Sequence, residues 1–217
     1  MREEIQHRYI AIEGPIGVGK TTLARRLADT LQAELLLENA EENPFLKRFY
    51  QDAKAGALSA QLFFLMQRAQ QVADLRQQDM FASYRVADFM LEKDALFAEV
   101  TLDPDEFALY RRVYELLAPE AMQPDLVVYL QAPVEVLLRR VMKRGIGYER
   151  TITRDYLARL NDAYTRLFHQ YTASPLLIVN AAEINLVDGD EEYRLLMEQI
   201  AGIRSGRHYF NPGPALL

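Results

Sequence analysis

The chain contains no cysteine, so a disulfide framework and a zinc site built on cysteine are both excluded. It also has no excess of positive charge: 25 lysines and arginines stand against 31 aspartates and glutamates, and the formal net charge is -6. A protein that binds nucleic acid generally presents a basic surface to the phosphate backbone. We therefore expect no nucleic acid among its partners.

Long apolar runs are missing as well. The longest apolar segment, residues 126–138, is interrupted by Gln131, Pro133 and Glu135, and a helix needs about 20 apolar residues to cross a bilayer. The first seven residues carry acidic side chains and no apolar stretch, unlike a secretory signal. Half of the residues are nevertheless hydrophobic, which suffices for one sizeable core. We expect a cytoplasmic protein with no membrane partner.

Short apolar segments alternate with longer segments of helical periodicity. Strands are predicted for residues 9–13, 34–37, 84–87, 125–130 and 175–179. Helices are predicted for residues 20–31, 44–75 with a break near 55–56, 104–117, 133–144, 153–171 and 191–203. Strands that are apolar on both faces and joined through helices indicate an α/β fold with five parallel strands between helix layers. Residues 1–204 would form one domain, and residues 205–217 a tail, either mobile or extended onto a partner subunit.

One motif is specific by itself. The pattern G-x-x-x-x-G-K-[ST] lies between the first predicted strand and the first predicted helix. Its glycines allow backbone N–H groups to converge on phosphate oxygens, and the helix N-terminus adds its positive dipole end. The lysine would contact the β- and γ-phosphates, and the threonine hydroxyl would bind Mg²⁺. The alternative is an ordinary glycine-rich turn before a helix. The predicted nucleotide site consists of Gly14, Pro15, Ile16, Gly17, Val18, Gly19, Lys20, Thr21 and Thr22.

Acidic residues mark the ends of several predicted strands. In an open parallel sheet, ligands bind at the carboxyl ends of the strands. Glu38 follows the second strand and could accept a proton from an attacking hydroxyl, or be an ordinary surface acid. Asp88 follows the third strand, where it could bind Mg²⁺ or cap the next helix. Glu13, before the loop, could reach a metal through water or be packed. Asp125 opens its strand at the opposite edge and is predicted to be structural.

The loop motif does not name a reaction, because GTPases, ATPases and small-molecule kinases share it. Further residues, taken in order, narrow the choice. They are Ile-Glu-Gly-Pro-Ile-Gly-Val-Gly-Lys-Thr-Thr-Leu at 12–23, Glu38, Asn-Pro-Phe at 43–45, Phe-Tyr at 49–50, Gln-Leu-Phe-Phe at 61–64, Arg68, Pro-Asp-Leu-Val-Val-Tyr-Leu-Gln-Ala-Pro at 124–133, Arg139, Arg140, Arg144, Gly145 and Glu149. Over residues 8–188 the chain resembles the deoxynucleoside kinases, especially the bacterial deoxyadenosine and deoxyguanosine kinases. The resemblance implies a three-layer P-loop kinase fold with a helical lid at residues 140–153.

The resemblance also assigns residues to both parts of a nucleoside. Glu38 would be the general base, while Tyr50 and Glu149 would hold the sugar 3′-hydroxyl. Gln61 would make paired hydrogen bonds to the base, with Arg68 near the base edge.

Aromatic residues would complete the base pocket, with Phe97 stacked on the base. Gln61, Phe64 and Arg68 share one helix face by their spacing, and an amide and a guanidinium beside apolar side chains suit a planar heterocycle. The alternative is a buried helix with polar ends, in which Phe64 belongs to the core.

Two arginines are implied to belong to the lid that closes over the phosphates. Arg140 and Arg144 lie four residues apart on one helix face, and arginines on a mobile lid can stabilise charge on a transferring phosphoryl group. The alternative is a solvated basic face. With Lys20 and Glu38 they form the predicted catalytic set.

The sequence departs from the family at one motif. Many members have Glu-Arg-Ser or Asp-Arg-Ser after the third strand, where this chain has Asp88, Phe89 and Met90. The arginine, which acts near the 5′-hydroxyl, has no match. In the family, an acid pairs with the base-side arginine. Its position corresponds here to Lys93 or to Asp94, depending on a one-residue gap in the comparison. These positions therefore do not indicate which base is preferred. The loop beside the adenine of the donor is expected at residues 180–188.

The predicted reaction joins ATP and a 2′-deoxynucleoside, with purines favoured by the resemblance, to give ADP and the 5′-monophosphate. Mg²⁺ would bridge the β- and γ-phosphates. The resemblance also implies a homodimer through the helix near residues 104–117. One alternative is a nucleoside monophosphate kinase resembling thymidylate kinase, which would need a further basic group for the acceptor phosphate. The other is a non-catalytic nucleotide sensor, which would have no use for Tyr50, Gln61 and Glu149 together.

Overall fold

The computed structural model describes residues 5–78, 84–117, 122–182, 184 and 189–212. Within these residues, parallel strands form one sheet in the order β2-β3-β1-β4-β5-β6. The strands are β1 Tyr9–Glu13, β2 Glu34–Leu36, β3 Arg85–Ala87, β4 Leu126–Gln131, β5 Leu176–Asn180 and β6 Arg207–Phe210. The helices are α1 Lys20–Leu31, α2 Leu46–Gln51, α3 Ala53–Gln78, α4 Glu92–Thr101, α5 Pro104–Leu117, α6 Val134–Arg144, α7 Arg154–Gln170 and α8 Asp190–Gly202, with short 3-10 turns at Ala40–Glu42 and Gly147–Thr151.

The α/β class and the parallel sheet confirm the sequence prediction, but the predicted number of five strands is wrong. The sixth strand, Arg207–Phe210, lies in the segment that was predicted to be a tail, and it pairs with β5. Gly206, with a φ of 77°, turns the chain directly before it. Its side chains alternate between exposed and half-buried, which suits an edge strand. A segment of four residues is too short for its hydrophobic periodicity to distinguish a strand from a loop. Residues 213–217 lie outside the described part of the chain.

The predicted break in the long helical segment is also misplaced. The helices separate at Asp52, whose backbone is extended, and Gly56 lies inside α3. A Cβ on Gly56 would come within 2.6 Å of the Phe49 backbone nitrogen. This glycine therefore allows α2 and α3 to approach closely and does not end a helix. Helix α4, between the third and fourth strands, was not predicted, because its buried residues include the charged Lys93 and Asp94 and it therefore lacks an apolar stripe.

Central strands β1 and β4 are buried along almost their whole length. Apolar clusters cover both faces of the sheet, one around α1, α6 and α8, and the other around α7. Thr153 caps α7, because its hydroxyl accepts a hydrogen bond from the Tyr156 amide. The chain crosses over on both sides of β1, which lies between β3 and β4. Such a switch point places a ligand crevice at the carboxyl ends of these strands.

None of the described helices combines the length and the apolarity that crossing a membrane requires.

Candidate active site

The loop between β1 and α1 has the geometry of a phosphate cradle. Gly14 has a φ of 148°, and a Cβ there would lie 2.3 Å from the carbonyl oxygen of Leu130 in β4. Glycine is required here for two reasons: it has no Cβ to meet the strand, and it adopts a positive φ without strain. Helix α1 begins at Lys20, and its N-cap Gly19 makes no side-chain cap, so the first amides of the helix remain available for an anion.

The Lys20 side chain folds back over this loop. Its ammonium donates to the carbonyl oxygens of Gly14 at 2.7 Å and Pro15 at 3.2 Å. Burial and, to a smaller extent, the nearby Lys93 ammonium lower the pKa of Lys20 to about 8, although Glu13, Glu38 and Asp88 act to raise it. The lysine is thus a desolvated cation whose environment favours a bound anion.

Asp88 connects the loop with the end of β2. Its carboxylate accepts a 2.5 Å hydrogen bond from the Thr21 hydroxyl and a 2.8 Å hydrogen bond from the Glu38 amide. The next helix begins at Glu92 and has Leu91 at its N-cap position, so Asp88 does not cap it. A hydroxyl and a carboxylate side by side are oxygen ligands of the kind that Mg²⁺ takes.

Glu38 is held by two cations. Arg68 Nη2 lies 2.5 Å from Glu38 Oε1, and the Lys93 ammonium forms an ion pair with Oε2. Burial opposes ionisation of Glu38, but Lys93 and Arg68 outweigh it and lower its pKa to about 2. The carboxylate is therefore ionised and oriented, which is the state a proton acceptor needs.

The structure shows which residue pairs with Arg68. Arg68 forms an ion pair with Asp94 through Nη1, and both side chains are almost fully buried. Arg68 Nε and Asp94 Oδ2 are buried without a hydrogen-bond partner among the described residues. Lys93, the other candidate, bonds Glu38 and not Arg68. Asp94 is thus the acid that pairs with Arg68.

The residues predicted to bind a nucleoside line one cleft. Gln61 is buried, and its Nε2 donates to the Thr101 hydroxyl at 3.3 Å. The Tyr50 ring stacks on Tyr148 at 5.6 Å between ring centroids, and Thr151 donates to the Tyr50 carbonyl oxygen at 2.8 Å. The cleft brings together all seven predicted substrate residues: Glu38, Tyr50, Gln61, Phe64, Arg68, Phe97 and Glu149.

The two predicted lid arginines have different surroundings. Arg144 makes a double ion pair with Glu149, with Nη2 at 2.5 Å from Oε1 and from Oε2. Arg140 donates to backbone carbonyl oxygens: Val18 at 3.1 Å, Ala181 at 2.8 Å and Ala182 at 3.3 Å. Arg140 thereby ties the phosphate loop to the chain after β5. Of the expected adenine-side loop, residues 183 and 185–188 lie outside the described part of the chain.

A second cleft lies on the other side of the phosphate loop. It is lined by Gly17, Val18, Gly19, Lys20, Thr21, Thr22, Arg140, Lys143, Arg144 and Ile184. The two clefts share Gly17, Lys20, Thr21 and Arg144. A group bound in one cleft can therefore meet a group bound in the other at Lys20 and Thr21. This is the geometry that a transfer between two ligands requires.

Two charged residues have contacts that sequence reasoning did not establish. Lys93 was considered only as one of two positions for the acid that pairs with Arg68. Glu13 was left open between a metal contact and packing, and the structure packs it: it is fully buried and accepts from the amides of Gly14 and Met90 and from the Tyr164 hydroxyl. Burial raises the pKa of Glu13. The available signal was an acid that ends an otherwise apolar strand directly before the loop.

Comparison with known proteins agrees with this geometry. The family model for deoxynucleoside kinase matches residues 10–203. The chain is 36% identical over 186 residues to a deoxyguanosine kinase of Bacillus subtilis, covering 85% of this chain and 87% of the relative. It is 28% identical over 207 residues to a deoxyadenosine kinase of Lactobacillus acidophilus, covering 89% and 94%.

Solved structures give the same result. Deoxyadenosine kinase from M. mycoides with the products dCMP and a flexible dCDP bound has a TM-score of 0.78 at 26% identity, covering 89% of this chain and 99% of that chain. The same enzyme with dATP bound has a TM-score of 0.75. Because the family model spans nearly the whole chain, the protein belongs to the deoxynucleoside kinase family and phosphorylates a deoxynucleoside with ATP.

Proposed function

We propose that the protein transfers the γ-phosphoryl group of ATP to the 5′-hydroxyl of a purine 2′-deoxynucleoside, as a step of nucleotide salvage. The observation that supports this reaction most directly is the meeting of two clefts at Lys20 and Thr21, with Glu38 lining the second cleft beside them. The preference for purines is supported by the relatives, which are named deoxyguanosine and deoxyadenosine kinases. We propose the cytoplasm as the compartment.

On the donor side, the loop amides and Lys20 hold the phosphates of ATP. Thr21 and Asp88 would hold Mg²⁺, because their oxygens already lie 2.5 Å apart at the loop. Among the described residues no group of three or more histidines and acids could hold a metal, and Mg²⁺ is commonly held by one or two carboxylates together with substrate phosphates. When bound, the metal would neutralise charge on the β- and γ-phosphates.

On the acceptor side, Glu38 takes the proton of the 5′-hydroxyl. Tyr50 and Glu149 orient the sugar through its 3′-hydroxyl, and Gln61 and Arg68 bind the base. Phe97 packs on the base face. Phosphoryl transfer asks little covalent chemistry of the protein, so orientation and charge stabilisation supply most of the rate.

The lid arginines act on the phosphates from the other side. Arg144 lines both clefts and is bound to Glu149, so its position links the sugar contact with the donor phosphates. Arg140 lines the donor cleft, where its bonds to Val18 and Ala181 orient the guanidinium. Water exclusion by the lid strengthens both charge contacts.

The charges of the acceptor cleft argue against a nucleoside monophosphate as acceptor. That substrate needs a cation for its own phosphate. Beyond Lys20, the described cations that line this cleft are Arg68, Lys93 and Arg144, and each is paired with a carboxylate. A neutral nucleoside fits this balance better. The cleft itself, built from residues of α2, α3, α4 and the lid, argues against a sensor that binds only a nucleotide.

A homodimer through α5 is the quaternary structure that we propose. Leu109 and Leu116 lie on one face of this helix and are 51% and 78% exposed, and Met66 of the adjoining α3 is 63% exposed. Apolar residues grouped in this way typically mark a protein interface. The double substitution of Leu109→Glu and Leu116→Glu should convert a dimer into a monomer in sedimentation equilibrium, whereas a monomeric wild type would contradict the proposal.

The decisive experiment measures ADP formation from MgATP with a panel of deoxynucleosides, ribonucleosides and deoxynucleoside monophosphates. Turnover with purine deoxynucleosides supports the proposal, and turnover with monophosphates alone would refute it. Glu38→Gln should lower kcat by about 10²–10⁴-fold, since a general base is removed while the shape is kept. The matched control is Glu41→Gln, an exposed acid three residues away, which should keep full activity.

A further inference from the structure

Lys93 has a position at the reaction centre that none of the roles above uses. Its side chain is 5% exposed, and it enters the acceptor cleft from the first turn of α4. Its ammonium forms an ion pair with the carboxylate oxygen Oε2 of Glu38. The 5′-hydroxyl must approach this same carboxylate to give up its proton, so the attacking oxygen comes within reach of the ammonium.

The ammonium of Lys93 has donors to spare. Among the described residues, Glu38 is the one hydrogen-bond acceptor that it contacts, and the Phe97 ring lies 5.5 Å from Nζ. An ammonium has three N–H donors. A cation removed from bulk water is stabilised by further oxygen acceptors, and in this cleft a substrate can supply them.

Lys20 and Lys93 both line the acceptor cleft. Lys20 belongs to the phosphate loop, and Lys93 contacts the proton acceptor. Two like charges in a buried cleft repel each other until an anion lies between them. A phosphoryl group in transit is such an anion.

Holding Glu38 in place is not sufficient to explain Lys93. Arg68 already binds Glu38 Oε1 at 2.5 Å, and Asp88 binds the Glu38 amide at 2.8 Å. Glu38 is therefore held at its backbone by Asp88 and at one carboxylate oxygen by Arg68, without the lysine. Lys93 adds a third contact to Glu38 and keeps N–H donors that a ligand in the cleft can use.

We propose that Lys93 is a catalytic residue of the transfer, whose ammonium donates to the attacking 5′-oxygen and to the phosphoryl group in transit; this inference rests on the proposed function. In the step, the 5′-O–H bond breaks and its proton passes to Glu38. The 5′-oxygen forms a bond to the γ-phosphorus, while the bond from that phosphorus to the bridging oxygen breaks and ADP leaves. Lys93 keeps its proton and stabilises the charge on the oxygens of the transferred group.

The first test compares Lys93→Met with Lys47→Met, a control at an exposed lysine outside the site. Lys93→Met keeps much of the side-chain volume and removes the charge. We expect kcat to fall by about 10²–10³-fold, the typical cost of one lost donor to a developing charge. The KM of the deoxynucleoside and the affinity for ATP should change little, and circular dichroism should report a native fold. Activity equal to that of Lys47→Met would overturn the proposal.

A double variant separates contact with substrate from an effect through Glu38. If Lys93 acts on the transferred group, Lys93→Met in a Glu38→Gln background still lowers kcat, by at least about tenfold. If the lysine serves only to orient or charge the carboxylate, the second substitution costs nothing further. That second result would make Lys93 a positioning residue and overturn the proposal.

The absence of cysteine in the chain allows a direct chemical rescue. Lys93→Cys introduces a single thiol, and alkylation with 2-bromoethylamine restores an ammonium at nearly the original distance. Mass spectrometry verifies the extent of alkylation. Activity should return with the aminoethyl group and not with the neutral group from iodoacetamide. Equal activity after both reagents would refute a role of the charge.

Failure of this inference is distinguishable from failure of the proposed function. The wild-type protein is assayed first with MgATP and the deoxynucleoside panel. A wild type without turnover on any deoxynucleoside contradicts the proposed function. An active wild type whose activity survives Lys93→Met contradicts the role of Lys93 alone.

Discussion

The Thr21 hydroxyl donates a 2.5 Å hydrogen bond to the carboxylate of Asp88, which comes from a different strand end. Under the proposed function, these two oxygens would hold the Mg²⁺ that accompanies the β- and γ-phosphates. Asp88→Asn keeps the shape and removes the charge. We expect the Mg²⁺ concentration for half-maximal activity to rise by at least about tenfold, within the range that residues around a metal contribute to its affinity.

The measurement is the initial rate against free Mg²⁺ at saturating ATP. Asp162→Asn, at an exposed position on α7, is the matched control and should leave the Mg²⁺ dependence unchanged. A wild-type dependence in Asp88→Asn would remove Asp88 from the metal site.

Asp94 should contribute strongly to stability through its pair with Arg68. Both side chains are almost fully buried, and Asp94→Ala leaves the guanidinium with Glu38 as its remaining carboxylate. Loss of one partner of a buried pair costs about 3–5 kcal/mol. The exposed pair of Arg111 and Glu115, each 64% exposed, gives the control: Glu115→Ala should cost no more than about 1 kcal/mol.

Urea unfolding measures the free energy of unfolding of both variants. A loss in Asp94→Ala no larger than in Glu115→Ala would mean that the Arg68 pair adds nothing beyond a surface contact. Because Arg68 also contacts Glu38, turnover in Asp94→Ala reports whether the pair supports the site as well as the fold.

Gly14→Ala should damage the phosphate loop. The residue has a φ of 148°, and the added Cβ would lie 2.3 Å from a backbone oxygen in the buried strand β4. Strain of this kind costs about 1–3 kcal/mol, and relief of the clash would move the loop amides away from the phosphates. We expect a lower Tm and a weaker affinity for ATP, measured by calorimetry.

Gly202→Ala is the control for this prediction. Gly202 is the last residue of α8, and a Cβ there meets nothing within 4 Å. Alanine in a helix without strain is neutral or stabilises by up to about 1 kcal/mol. If Gly14→Ala behaved like Gly202→Ala, close packing of the loop against β4 would not be required.

The parts of the site that local sequence determines could be predicted, and the parts that packing determines could not. The bounds of β1, α1 and α5 agree with their prediction, because glycines lie directly after β1 and before α1 and a proline opens α5. Asp125 also has the predicted structural role, since its carboxylate accepts from the amides of Arg8 and Tyr9 at the edge opposite the site. The rule that ligands bind at the carboxyl ends of parallel strands was sufficient to place Glu38 and Asp88 at the same edge of the sheet, where they are in contact.

The pairing of Lys93 with Glu38 is different, because the two residues are 55 positions apart and meet only when α4 packs beside the sheet. No pattern along the chain indicates which carboxylate Lys93 contacts. The edge strand β6 was missed for a similar reason, since its four residues gain their structure from pairing with β5. Contacts of this range depend on the whole fold.

Gln61 should determine affinity for the base more than the rate of transfer. Its amide is 3% exposed, lines the acceptor cleft and has one donor fixed by Thr101. Gln61→Leu leaves the polar edge of a purine unpaired, which costs about 1–3 kcal/mol. The KM for deoxyadenosine and deoxyguanosine should therefore rise by about 10–100-fold at nearly constant kcat.

Steady-state kinetics with both nucleosides measures this, and Gln70→Leu, at an exposed position on the same helix, should retain the wild-type KM. A variant that loses kcat at constant KM would move Gln61 from base binding to the chemical step, because an interaction made only in the transition state has that signature.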